Sequence, residues 1–215
     1  MTTPRTMQNH RIMSLDLFTH RWEAGKGGHT LLLLHGTGGN EDDLLPIGRT
    51  IDPEASLLSP RGRVDEEGAN RFFRRFRENV FDLENMRQET EALAEFLSSA
   101  ATGYGFDPGQ VYAVGFSNGA NIAVSLMLRR PELLRGAFLM RALVPFEPET
   151  TPDLSRVRVL LASGDADPLV PHALAEQLAG LLRKSGAEVE HLWLHAGHNL
   201  TRQELVEAKR WLELG

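Results

Sequence analysis

The sequence predicts an α/β domain with a mostly parallel, doubly wound sheet and helices on both faces. Short runs that are apolar throughout are typical of parallel strands covered on both sides. Between them lie stretches with apolar residues at helical spacing, and this alternation indicates strands joined by crossover helices. Because no internal repeat or interdomain linker interrupts the alternation, we interpret residues 1–215 as one domain.

The strands are predicted from six apolar runs. Four runs are uniformly apolar, at residues 30–34, 111–114, 136–140 and 157–162. The run at residues 55–59 is weaker. The run at residues 189–194 alternates, as an edge strand does. Residues 14–23 are predicted to form an antiparallel edge strand before them, followed by a glycine-rich turn at residues 25–28.

Four helices are predicted between and after these strands, at residues 83–101, 118–130, 171–185 and 201–214. Residues 60–82 have mixed charge and weak periodicity, which indicates an excursion between a strand and a helix. Such excursions often shape a binding site at the carboxyl ends of the strands. We therefore expect a minimal lid, and whether this segment moves is left open.

Composition excludes several classes of function. The 215 residues include no cysteine, which rules out disulfides and thiolate catalysis, and a net charge of -6 disfavours a nucleic-acid surface. No apolar run is long enough to span a bilayer, so no stable membrane insertion is expected. The first fourteen residues lack the apolar core of a secretion signal, and we expect a cytoplasmic protein.

A candidate nucleophile lies in the sequence GFSNGAN, residues 115–121. Ser117 stands where a predicted strand ends and a predicted helix begins, the setting of a nucleophile elbow. Gly115 and Gly119 suit a tight turn there, because neither carries a Cβ atom. The alternative is that Ser117 caps the helix and Gly119 only packs against its surroundings.

A serine nucleophile needs a base and an acid that orients the base. Asp165 and Asp167 follow one predicted strand, and His195 and His198 follow the next, which gives the order Ser, Asp, His. Either aspartate could orient a histidine. Placement in the loop favours His198, whereas His195 continues the alternation of its strand.

An oxyanion site is predicted from HGTGG, residues 35–39, directly after a central strand. Such a loop can aim a backbone N–H at the oxygen of a tetrahedral intermediate, and the second donor would be the N–H of Asn118. The alternatives are an ordinary glycine turn and a phosphate loop. The phosphate interpretation is weak, because neither G-x-G-x-x-G nor G-x-x-x-x-G-K-[ST] is present.

Four motifs, HGTGG, GFSNGAN, GDADPLVP and AGHNL, together resemble the phospholipase/carboxylesterase family of small α/β-hydrolases, which are relatives of the acyl-protein thioesterases. LLSPRG, NRFFRR and VFDLENM resemble its bacterial carboxylesterase branch, which includes hydroquinone-resistance hydrolases. The resemblance extends from about Phe18 to the last predicted helix. It implies an α/β-hydrolase fold.

The resemblance also implies roles for individual residues. It assigns the orienting acid to Asp167, the base to His198 and the oxyanion donors to the N–H groups of Thr37 and Asn118. Many family members have glutamine after the serine, and Asn118 departs from them without altering the backbone donor. No metal or cofactor is implied, and a homodimer is expected because family members often pair.

The expected function is hydrolysis of small or medium acyl or aromatic esters. Phe72 and Phe73, with Phe76 and Phe81 nearby, could line the substrate pocket, and nearby arginines could meet an acidic group; the alternative is that the rings are packing anchors. Arg141 could also contact substrate or instead pair with a carboxylate. The functional alternatives are an acyl-thioesterase, a lysophospholipase and a non-catalytic binding protein. The ordered Ser, Asp and His argue against the binding protein, which would not need them.

Overall fold

A central sheet of seven strands organises the computed structural model, which describes residues 15–214. The strands are β1 His20–Glu23, β2 Thr30–Leu34, β3 Ser56–Pro60, β8 Val111–Phe116, β9 Gly136–Met140, β10 Arg158–Gly164 and β11 Glu188–Leu194. The strand order is β1-β3-β2-β8-β9-β10-β11, parallel except for β1, which pairs antiparallel with β3. The predicted fold class is confirmed.

Five helices accompany the sheet in the described part of the chain: α1 Leu45–Ile51, α2 Leu83–Tyr104, α3 Asn118–Arg129, α4 His172–Lys184 and α5 Arg202–Glu213. Two large apolar clusters lie on opposite faces of the sheet. One contains residues of α2, α3 and α4, and the other contains residues of α1 and α5. Of the described helices, none combines the length and the apolar character needed to cross a membrane.

The structure corrects the prediction at the amino-terminal edge. Only His20–Glu23 forms a strand, and the earlier part of the predicted strand is a turn and bend where it is described. Ser14 and the segment judged to lack a secretion signal lie outside the described residues. Helix α1 was not predicted, because its seven residues are too few to establish a helical period.

Residues 60–82 contain two hairpins that the sequence did not predict. The first pairs β4 Val64–Glu66 with β5 Ala69–Arg71, and the second pairs β6 Arg75–Arg77 with β7 Val80–Phe81. Each strand has three residues or fewer, and all except β7 carry charged side chains, so no apolar alternation marks them. The predicted excursion is present, and it is folded.

The register of the parallel strands brings several loops to one edge of the sheet. Gly115 of β8 is level with Leu34 of β2 and Leu139 of β9, and Gly164 of β10 is level with Leu194 of β11. Because parallel strands place their carboxyl ends together, the segments that follow these strands begin side by side. These segments contain the predicted site residues.

A buried ion pair joins the end of β9 to the beginning of α5. Arg141 Nη1 lies 2.9 Å from Glu204 Oε2, and both side chains are 0% exposed. Glu204 also accepts from the N–H of Thr201 in the capping box that starts α5. Removing one partner of such a pair leaves an uncompensated buried charge, which is strongly destabilising.

Replacing Glu204 by alanine should therefore lower the free energy of unfolding by about 3–5 kcal/mol. Denaturant unfolding of the purified variant measures the change. The matched control is Glu213→Ala in the same helix, where the carboxylate is 65% exposed and lies 4.0 Å from Lys209. The control should cost less than about 1 kcal/mol, and a Glu204→Ala cost no larger than the control's would contradict the prediction.

Candidate active site

Ser117 occupies a strained turn between β8 and α3. Its φ of 52° and ψ of -113° lie outside the regions that non-glycine residues favour. The turn is tight because α3 approaches the sheet closely: a Cβ on Gly119 would lie 2.0 Å from the Leu34 carbonyl oxygen, and one on Gly115 would lie 2.7 Å from the Ala120 Cα. The local structure is the strand–turn–helix context that the motif predicted.

A hydrogen-bonded chain connects Ser117, His198 and Asp167. His198 Nε2 lies 3.0 Å from Ser117 Oγ, and His198 Nδ1 lies 2.8 Å from Asp167 Oδ2. The Asp167 side chain is 0% exposed, whereas that of His198 is 24% exposed. The structure thus brings together three residues that come from three separate segments of the chain.

The tautomer of His198 follows from its two partners. An ionised carboxylate can only accept, so Nδ1–H donates to Asp167 and Nε2 of the neutral ring accepts from the Ser117 hydroxyl. The other oxygen, Asp167 Oδ1, accepts from the backbone N–H groups of Leu169 and Val170 at 2.8 and 3.1 Å. These two bonds hold the carboxylate in the orientation that the imidazole requires.

The competing acid and histidine form a separate pair at the surface. Asp165 Oδ2 lies 2.9 Å from His195 Nδ1, and the His195 side chain is 97% exposed. Their hydrogen bond lowers the pKa of Asp165 and raises the pKa of His195. Within residues 15–214, no group of three or more histidine, aspartate or glutamate side chains is arranged to hold a metal ion.

Two backbone donors lie in the wall of the same cavity as Ser117. The N–H groups of Thr37 and Asn118 donate to no residue in the described part of the chain. Asn118 is the first residue of α3, whose amino-terminal N–H groups are unsatisfied within the helix and favour negative charge. Both groups are therefore available to an oxyanion.

The loop of residues 35–39 is fastened to the 60–82 segment. Buried His35 uses both ring nitrogens: Nδ1–H donates to the Gly36 carbonyl at 2.6 Å, and Nε2 accepts from the Gly62 N–H at 2.9 Å. Burial lowers the pKa of His35, which favours this neutral form. Gly38 N–H donates to the Asn70 carbonyl at 2.9 Å, so the first hairpin forms a wall against this loop.

The side chain of Asn118 has a structural contact that sequence reasoning missed. Its Oδ1 accepts from the backbone N–H of Phe72 at 2.7 Å, which ties the start of α3 to the 60–82 segment. The sequence offered one signal, the departure from the glutamine of many family members, but it was interpreted as having little consequence. Asn118 is therefore constrained by this side-chain contact as well as by the position of its backbone N–H.

The cavity above Ser117 has a volume of about 280 Å³. Its apolar wall comes from Phe81, Phe116, Leu143, Leu169 and Val170, and its polar wall includes Thr37, Arg71, Asn118 and His198. The prediction that Phe72 and Phe73 line the pocket is corrected, because they are 1% and 0% exposed in the apolar core. Phe72 packs on His35 and Phe73 packs on Phe81.

Arg141 does not offer its guanidinium to the cavity either, although the residue lies in the cavity wall. Besides pairing with Glu204, it donates from Nε to the Gly197 carbonyl at 3.0 Å and from Nη2 to the Asn199 carbonyl at 2.6 Å. These carbonyls flank His198 on both sides. Of the two roles predicted for Arg141, the structure contains the pairing with a carboxylate, and this pair holds the His198 loop.

Comparison with known proteins identifies the family of the chain. The sequence pattern of the phospholipase/carboxylesterase family matches residues 23–214. MhqD of Bacillus subtilis, which is named as a hydrolase, is 45% identical over 192 residues, covering 89% of this chain and 96% of MhqD.

Two solved carboxylesterases have the same fold. The Bacillus cereus enzyme superposes with a TM-score of 0.92 at 42% identity, covering 96% of this chain and 99% of its own. The Mesorhizobium loti enzyme superposes with a TM-score of 0.88 at 33% identity, covering 92% and 95%. The chain therefore belongs to the phospholipase/carboxylesterase family, whose members are hydrolases with the α/β-hydrolase fold.

Proposed function

We propose that this hydrolase is a serine carboxylesterase that cleaves small carboxylic esters through an acyl-enzyme. The observation that carries the proposal is the chain of hydrogen bonds from Ser117 through His198 to Asp167, next to two unpaired backbone donors. A serine hydroxyl is a weak nucleophile at neutral pH, and an oriented imidazole supplies the base that it needs. No cofactor enters this mechanism.

In the first half of the reaction, His198 Nε2 takes the proton of Ser117 as Oγ attacks the ester carbonyl. The N–H groups of Thr37 and Asn118 bind the oxyanion that forms, and one such donor is worth about 3 kcal/mol of transition-state stabilisation. Asp167 stabilises the imidazolium. His198 then protonates the leaving alcohol, and the acyl group stays on Ser117.

In the second half, water enters the position of the alcohol and the same groups act again. His198 Nε2 takes a proton from the water as its oxygen attacks the acyl carbonyl, and the oxyanion returns to the same two donors. Collapse of the intermediate returns the proton to Ser117 Oγ and releases the carboxylic acid. Each proton stays within one hydrogen bond of His198 throughout.

The size of the cavity favours short substrates. Its volume of about 280 Å³ lies just below the roughly 300–1,000 Å³ typical of ligand sites. This supports an esterase of short acyl groups over a lysophospholipase, whereas a short-chain thioesterase would use the same groups. A homodimer and a cytoplasmic location stay predictions of the sequence.

A fluorophosphonate probe should label the wild-type protein at Ser117, because the oriented His198 activates that hydroxyl. Ser117→Ala should lose the label and at least about 10³-fold in kcat, since the covalent step is removed. Mass spectrometry locates the label and a 4-nitrophenyl acetate assay measures the rate. Ser125→Ala serves as the control, because it removes a buried serine of α3 that is hydrogen-bonded to Thr90 and takes no part in the chain of hydrogen bonds. Absence of labelling in the folded wild type would refute the proposed nucleophile.

Asp167→Asn should lower kcat by about 10⁴-fold, because an amide does not hold the imidazole in the required tautomer. Asp165→Asn is the matched control in the same loop. Its partner His195 is 97% exposed, and we expect its kcat to stay within about threefold of wild type because exposed ion pairs contribute little. The reverse pattern in a steady-state assay would reject the assignment of the acid.

Activity should fall as the acyl chain outgrows the cavity. We expect kcat/KM for 4-nitrophenyl butyrate to exceed that for the laurate by at least about tenfold, since a chain that the cavity cannot hold displaces the ester carbonyl from the two proposed donors. Initial rates below the micelle concentration of the laurate measure this. A parallel series of acyl-thioesters separates esterase from thioesterase, and equal efficiency on the laurate would contradict a short-chain site.

A further inference from the structure

Arg71 places a cation in the cavity wall beside Thr37. It is the last residue of β5, its side chain is only 4% exposed, and it lines the same cavity as Ser117 and His198. Its Nη1 donates to Thr37 Oγ1 at 2.6 Å, and its Nε donates to the Phe73 carbonyl at 3.1 Å. These two bonds fix the guanidinium against the loop that carries the Thr37 N–H.

The remaining nitrogen of this guanidinium is free to bind a ligand. Within residues 15–214, Nη2 of Arg71 has no hydrogen-bond partner, and it is not among the fully enclosed polar atoms. Burial lowers the pKa of Arg71, and the charge of Arg75 lowers it further, yet a guanidinium stays protonated in proteins. A buried cation with an open donor favours an anion.

The nearby carboxylates are already paired with a different arginine. Arg75 donates from Nε to both carboxylate oxygens of Glu66, at 3.1 and 3.2 Å, and from Nη1 to Glu78. Glu66 approaches Arg71 only to 3.6 Å, which is beyond a good hydrogen bond. Arg71 is therefore the cation of this wall that has no closely bonded carboxylate.

We propose that Arg71 binds a carboxylate on the substrate, so that the preferred esters are those of short acids that carry a second, ionised carboxyl group. The inference rests on the proposed function. Because Arg71 donates to the Thr37 side chain, its guanidinium lies beside one of the two donors proposed to bind the ester carbonyl, and a short acyl chain would join the two positions. Arginine matches a carboxylate in shape as well as charge.

The test compares monoethyl succinate with ethyl succinamate, a neutral amide of similar size, by proton release at constant pH. Wild type should favour the charged ester by at least about tenfold in kcat/KM, the factor expected of a charge-assisted hydrogen bond. Arg71→Gln should lower this preference by about 10- to 100-fold, even if it also lowers kcat/KM for both esters. Arg71→Lys keeps the charge without the planar fork and should retain part of the preference.

Arg74→Gln is the matched control, because it removes the same charge from an arginine that is 62% exposed and paired with Asp82. Its ratio of the two efficiencies should match wild type. An unchanged ratio in Arg71→Gln, with both esters slowed alike, would overturn the proposal and leave Arg71 as a support for Thr37. A wild-type preference for the neutral ester would overturn it without any variant.

A binding measurement separates this proposal from the proposed function. Calorimetry with Ser117→Ala should show monoethyl succinate binding at least about tenfold more tightly than ethyl succinamate. A binding preference in a wild-type protein that fluorophosphonate does not label would refute the esterase and keep the carboxylate site, whereas labelling with no binding preference would do the opposite. If Arg71→Gln does not fold, Arg71→Lys carries the comparison, and a ratio equal to that of wild type would overturn the proposal.

Discussion

The close approach of α3 to the ends of β2 and β8 is the constraint on which the candidate site depends. A Cβ on Gly119 would lie 2.0 Å from the Leu34 carbonyl oxygen, so no larger residue fits while the helix keeps this position. The approach forces the sharp turn at Ser117 and leaves the Asn118 N–H at the open end of the helix. One steric requirement thus places both the proposed nucleophile and one proposed oxyanion donor.

The second oxyanion donor depends on a part of the chain with no regular periodicity. Thr37 lies in an exposed turn, and a turn of this kind has few contacts of its own to hold it. The 60–82 segment supplies them through Gly62 on His35, Asn70 on Gly38 and Arg71 on the Thr37 hydroxyl. Backbone and side-chain polar groups that would otherwise be buried without partners are satisfied by the same bonds.

The third constraint acts on the loop of the proposed base. Arg141 and Glu204 are 63 residues apart in the chain, and their buried pair presents guanidinium donors to the carbonyls on both sides of His198. The charged groups of this pair therefore position the His198 loop and do not contact substrate. A buried pair is weak evidence for stability by itself, but this one holds the loop, because Arg141 also bonds the Gly197 and Asn199 carbonyls.

The sequence by itself determined the parallel sheet, the helices longer than about ten residues, and the order in which Ser117 and the two downstream loops follow their strands. These features depend on the spacing of apolar residues and on turn residues, which are local properties, so each can be predicted from a single segment. Resemblance to a family selected Asp167 over Asp165, whereas His198 was already favoured over His195 by its place in the loop. Only the tertiary structure decided that Phe72 enters the core and that Arg141 faces Glu204. Contacts between distant segments depend on the course of the chain between them, which no local pattern encodes.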